Sequence, residues 1–279
     1  MTGTKRLSRN LGKASNYFIM VVVSLVCLMP LLWMISTALK TQPQSFKLPP
    51  EWIPKPFVLS NFKRVLTQIP FVSYFINSTF TTVVVLAGHL VLGAFAAYGF
   101  SRLRFKGRDL IFLLLLSSLM VPQAVTMIPQ YLILQKFKWI DTYSAVIIPQ
   151  IFTNILGVFL LRQFLLGLPK DFEEAAKIDG AGYVRTFLLI VLPHIKPALM
   201  TVAVLSFMRA WNNFLWPLIV INTPHKQVLT VGLALLLGQF ISDWSGIMAG
   251  STVVLAPVLL LYILAQRYFI ESIYMSGIK

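Results

Sequence analysis

Charge is absent from long stretches of this chain and collects between them. Residues 14–39 hold no charged side chain over 26 positions, 65–101 none over 37, and 110–135 none over 26. Residues 142–161 hold none over 20 and 245–266 none over 22, while 197–224 is broken only by Arg209. An α-helix rises about 1.5 Å per residue and a bilayer's hydrocarbon core is about 30 Å thick, so roughly 20 apolar residues cross it. Each run is long enough. The pattern predicts an all-α polytopic membrane protein with six transmembrane helices at 17–39, 76–100, 110–134, 143–162, 197–221 and 245–266. The first run is too long for a signal peptide and lacks a small-residue cleavage site, so it reads as a retained span.

The segments between the runs complete the outline. Residues 1–16 form a basic tail, and 40–75 form a loop with Pro43, Pro49, Pro50, Pro54, Pro56 and Pro70, too proline-rich for a buried helix. Residues 163–196 and 222–244 are further loops, 267–279 is a tail, and the core of the fold covers about 72–268. Within the spans, Pro122, Pro129 and Pro149 predict kinks, at a packed neighbour or beside an interior path. Gly93 and Ala97 give the second span a small-residue face, and His89 reads as a hydrogen-bonded packing residue.

Composition and charge then sharpen the picture. The chain is 57% hydrophobic and 12% charged, well below the quarter charged that soluble domains carry. A net charge of +15 could point to nucleic acid, but the basic residues lie between spans rather than in one stripe. Lys and Arg are retained on the cytoplasmic side of membranes. With the N-terminus inside, 15 of the 24 basic residues fall on cytoplasmic segments, so both termini are placed in the cytoplasm and no nucleic-acid partner is implied. Cys27 is alone and reads as a small apolar filler.

The loop at 163–196 holds four of the nine acidic residues: Asp171, Glu173, Glu174 and Asp179. Asp171 is expected to cap a short helix, with Glu174 at capping-box spacing and Gly180 and Gly182 as the stop. Such a helix is about nine residues long, below the roughly 12 that hold in water alone. Phe172, Ala175, Ala176 and Asp179 share one face at helical spacing, so the helix must dock on something, its own chain's helix ends or a partner.

Glu174-Ala175-Ala176, Gly180 after three residues, then Ile190, Leu192 and Pro193 resemble the EAA loop of bacterial ATP-binding-cassette importer permeases. Asn77-Ser78, Tyr98 to Arg102, Ile178 to Ala181 and Trp211 to Phe214 are similar to the carbohydrate-uptake branch, and the likeness is closest to the smaller maltose-type permease subunit. The ending from Glu271 to Lys279 departs from the Gly-rich tail common there. The resemblance implies a type I importer permease fold with a cytoplasmic coupling helix that docks on an ATPase subunit. Glu174 would be the polar anchor, Ala175 and Ala176 the close-approach surface, Asp179 part of the same face and Gly180 the helix-ending turn. It also implies a bacterial cytoplasmic (inner) membrane location, a second permease subunit, two ATPase subunits and an extracytoplasmic solute-binding protein.

The solute implied is a sugar, with an oligosaccharide favoured; glycerol phosphate, an amino acid or a peptide is the alternative. No Gly-x-x-x-x-Gly-Lys-Ser/Thr loop occurs, so this chain is read as non-enzymatic and free of bound cofactor, with ATP and Mg on the partner ATPases. No cluster of metal ligands is seen, and the spans lack Asp and Glu, which argues against a proton-coupled carrier. Arg209 within the fifth span costs roughly 2.5–3.5 kcal/mol on insertion scales. It therefore faces the bundle interior, a water-filled path or a headgroup. With Trp211, Asn212 and Asn213 it forms the most polar patch of that span, a candidate solute path, with Asn154 and Gln150 on the fourth as weaker candidates. The apolar stretch 227–242 is either an external docking or re-entrant element or a helix whose boundary the pattern misplaces.

Overall fold

A computed structural model describes the backbone of residues 2–239 and 243–277, with side chains at 13, 15–67, 69–235 and 243–264. The described residues form helices and connecting loops, with no strand among them. In chain order the main helices are α1 Thr2–Ala38, α2 Ser60–Gln68, α3 Phe71–Arg102, α4 Arg108–Ser117, α5 Gln123–Lys136, α6 Tyr143–Phe152 and α7 Ile155–Leu166. After these come α8 Asp171–Ile178, α9 Tyr183–His194, α10 Lys196–Trp211, α11 Leu215–Val220, α12 Leu229–Gln239 and α13 Trp244–Gly277. The unusual tail from Glu271 to Lys279 lies outside the residues whose side chains are described.

Among the described residues, four stretches are long and apolar enough to cross a membrane: Ser15–Ala38, Phe71–Arg102, Tyr143–Leu166 and Trp244–Leu264. Two bent pairs raise the number to six if each pair is one span: Arg108–Met120 with Gln123–Lys136, bent by 105°, and α9 with α10, bent by 79°. The first bend falls at Pro122, where a kink is expected within 110–134, and the second sets α9 ahead of the span expected at 197–221, whose helix α10 ends at Trp211. Pro122 caps α5 without an N–H of its own, and Pro193 and Pro197 flank the α9–α10 break. The helix α9, expected within a loop, also carries a π turn over Phe187–Val191. The stretch 227–242 contains α12, and its last three residues, 240–242, lie outside the described backbone.

The chain divides into two compact units: Met1–Ile69 with Leu233–Leu255, and Pro70–Gly232 with Ala256–Lys279. In the first, the most apolar window of Ser15–Ala38 has none of its residues buried by protein, as suits a helix whose solvent is lipid. Asn61 of α2 donates to the carbonyls of Ala38 (2.9 Å) and Lys40 (2.8 Å), satisfying backbone acceptors that the end of α1 leaves open.

In the second unit α3 is the central post. Ala94, Ala97 and Tyr98 of α3 pack with Leu161 and Leu165 of α7, Phe187 and Val191 of α9, and Val202 of α10. Small side chains allow the close approach. A Cβ on Gly93 would stand 3.3 Å from Asn154 Nδ2. A second cluster joins Leu134, Ala145, Val146, Trp216 and Val220, with the Trp216 indole donating to Ala145 O at 2.9 Å. His89 is buried, with Nε2 2.8 Å from Gln150 O; because a carbonyl only accepts, that nitrogen carries the proton.

Candidate functional site

Two places in the second unit concentrate polar side chains: the short helix α8 and a cavity beside α10. The start of α8 departs from expectation. Lys170, not Asp171, is the cap residue, and no side chain caps the amides. Asp171, Glu173 and Glu174 instead fill the first turn, where negative charge complements the helix dipole. The end is as expected: Gly180 takes the left-handed conformation at φ 77°. Gly180 N donates to Lys177 O (3.1 Å) and Ala181 N to Ala176 O (2.9 Å), the paired bonds of a Schellman stop.

The face that α8 turns inward is also different from expectation. Glu173 and Ala176 are the buried pair, one turn apart, while Glu174, Ala175, Asp179 and Gly180 are exposed. Ala176 therefore packs on its own chain and is corrected from the outward surface. Glu173 Oε1 lies 2.6 Å from Arg102 Nε, with side chains 11% and 4% exposed. Arg102 also donates from Nη2 to Leu168 O at 3.0 Å. The cation that ends α3 thus holds both the entry to α8 and its first turn. Beside it, Arg162 of α7 donates to Phe100 O at 3.2 Å and lies 4.1 Å over the Phe112 ring. On the open side, Ile178 is 87% exposed, the most exposed large hydrophobic side chain among the described residues. Phe172 is exposed as well, its ring 5.2 Å from that of His194. Exposed apolar side chains grouped on one short element mark an interaction surface.

The cavity measures about 740 Å³ and is walled by α5, α6, the residues after α10 and the α4–α5 bend. Its polar lining includes Gln123, Thr126, Gln130, Gln150, Thr153, Arg209, Asn212 and Asn213, with Met127, Phe214 and Trp216 among the apolar members. So Arg209, Asn212 and Asn213 meet here, together with Gln150. Trp211 and Asn154 do not line it. Trp211 is buried, stacked on Phe207 at 5.6 Å and edge-on to Phe75 at 5.9 Å. Asn154 donates to His89 O at 3.3 Å and fills the crossing between α3 and α7. Both are packing residues in this fold. No group of three or more His, Cys, Asp or Glu able to hold a metal occurs among the described residues.

Residues 89–273 match the family described as "Binding-protein-dependent transport system inner membrane component". The chain belongs to this family. It is 37% identical over 227 residues to the arabinooligosaccharides transport system permease protein AraQ of Halalkalibacterium halodurans, covering 81% of each chain. It is 31% identical to the trehalose/maltose transport system permease protein MalG of Thermococcus litoralis, over 93% of this chain and 94% of that one. The same fold occurs in a bacterial ABC transporter that imports the acidic polysaccharide alginate, with a TM-score of 0.78 and 22% identity over 94% of this chain and 98% of that one. The match covers α8 and the cavity residues from Gln123 to Trp216 alike.

Glu173 and Arg102 are what sequence reasoning missed. Arg102 counts among the residues that set topology, and its pairing depends on where α3 ends relative to α8. The available signal was Glu173 three residues before Ala176, an inward-facing spacing.

Proposed function

We propose that this chain is one permease subunit of an ATP-driven importer in the bacterial cytoplasmic membrane, moving a sugar, an oligosaccharide above all, by alternating access. The observation that carries the reading is α8: an eight-residue helix tied by Glu173 to Arg102 on one side and presenting Ile178, Ala175 and Glu174 to solvent on the other. Isolated helices this short are marginal in water. One held by its own chain and left apolar outward is built to be gripped by a partner. The partner is an ATPase subunit. Its closure pushes α8, and the Arg102–Glu173 pair passes the displacement to α3, the post on which the second unit packs.

Membership of the binding-protein-dependent family supports the rest of the assembly: a second permease, two ATPases with ATP and Mg, and an external solute-binding protein. Both termini lie in the cytoplasm, which places α8 on the ATPase side. The chain performs no bond chemistry. The cavity supports a sugar cargo because amides (Gln123, Gln130, Gln150, Asn212, Asn213) and hydroxyls (Thr126, Thr153) can replace water around sugar hydroxyls, beside apolar Met127 and Phe214. Sugar-transport names among the relatives support the same class. The test is uptake of labelled oligosaccharides by the full importer in proteoliposomes. ATP-dependent accumulation that Glu174→Ala or Gly180→Pro abolishes, with the protein still inserted, supports the reading; normal coupled uptake in both variants refutes it.

A further inference from the structure

Resting on the sugar-importer reading, the chemistry of the cavity wall narrows the cargo. Arg209 is exposed to the cavity rather than packed, and it makes no ion pair among the described residues. Among the described residues no Asp or Glu lines the space. Its other polar members are neutral, and several are already bonded to their own backbone: Gln150 to Val146 O at 2.8 Å, Thr126 to Gln123 O at 2.9 Å and Asn212 to Met208 O at 2.9 Å. Arg209 lies 13 residues beyond Lys196 along α10, roughly 20 Å at the helical rise. It stands in the last turn of that helix, and Gln150 lies seven residues into the candidate span Tyr143–Leu166, roughly 10 Å from its start at the helical rise.

A guanidinium at that depth is expensive to insert and is retained for a task. A neutral sugar does not require it, since the amides present suffice. An oxyanion does: the planar fork of Arg matches a carboxylate with two parallel N–H donors. We propose that Arg209 makes this cavity select a sugar bearing a carboxylate, an acidic oligosaccharide of the uronate class, over a neutral one.

The test uses the assembled importer in nanodiscs without its binding protein, titrated with trigalacturonate and with maltotriose. Trigalacturonate is expected to bind at least tenfold more tightly than maltotriose, and the margin should shrink with added salt. Arg209→Gln should remove most of the preference while leaving maltotriose affinity within about twofold, and Arg209→Lys should keep part of it. Equal binding of the two sugars, or a loss for both in Arg209→Gln, as from a contact with the second permease, overturns the proposal. If only maltotriose binds, this inference fails and the sugar reading stands. If neither sugar binds the wild-type importer or is taken up by it with its binding protein present, both fall.

Discussion

Replacing Glu173 with Gln keeps the size of the side chain and removes its charge, leaving the Arg102 guanidinium buried without a counter-ion. The two side chains are only 11% and 4% exposed and 2.6 Å apart, so solvent screening is slight. Breaking a buried pair from one side costs about 3–5 kcal/mol, most of it the uncompensated charge. That burden falls on α8, an eight-residue helix whose one other buried side chain is Ala176. At about 1.4 kcal/mol per tenfold, 3 kcal/mol raises the opening equilibrium of this segment on the order of 10²-fold. Hydrogen exchange across 171–178 in the assembled importer reads this directly. Glu173→Gln should lose protection there but keep it in Phe71–Arg102, and ATP hydrolysis should continue while uptake falls at least tenfold. The paired replacement Arg102→Met with Glu173→Met should recover much of the protection, because removing both charges removes the penalty. Unchanged protection and uptake in Glu173→Gln, or a double variant worse than either single one, would refute the reasoning.

Other outcomes follow from single positions. Gly180→Ala should cost about 1 kcal/mol through its φ of 77° alone, since an added Cβ meets nothing within 4 Å; a loss of exchange protection confined to the end of α8 would confirm it. Gly232→Ala would drive a Cβ into the Tyr74 ring, so yield of inserted protein should fall sharply, and Tyr74→Ala should restore it in part. Asp141, at φ 64°, accepts from Asn222 N, Thr223 N and Oγ1, and Lys226 Nζ, at 2.6–3.1 Å. These bonds, those of Thr223 foremost, hold its carboxyl well below the usual carboxylate range. A depressed folded value means that its stabilisation is complete above the ordinary carboxylate range and lost only as pH falls below it. Asp141→Asn, which tolerates the same backbone, should therefore lower the melting temperature equally at pH 7 and pH 5.

The helical, membrane-spanning class was legible because a bilayer demands long uncharged runs and the chain has them. Bends were legible only as prolines: Pro122 marks a 105° break whereas Pro149 sits inside a stretch that continues as one span, and neighbouring packing decides between them. Gly180 was readable because a left-handed stop has few residue choices. The inward face of α8 was not, since a helix of eight residues shows about two turns and the pattern there fits more than one rotation. For the same reason Arg209, Asn212 and Asn213 reach the cavity while Trp211, between them, turns into the packing. Charge made Arg209 stand out; rotation about α10 decided the rest.

Cysteine cross-linking of α8 to the ATPase subunit in the assembled importer, on a Cys27→Ser background, tests the central claim most directly. Ile178→Cys and Ala175→Cys, both exposed, should cross-link to the ATPase and do so differently with and without ATP, while buried Ala176→Cys should not. Absence of any α8–ATPase cross-link in a transport-competent importer, or equal cross-linking at Ala176, would contradict it.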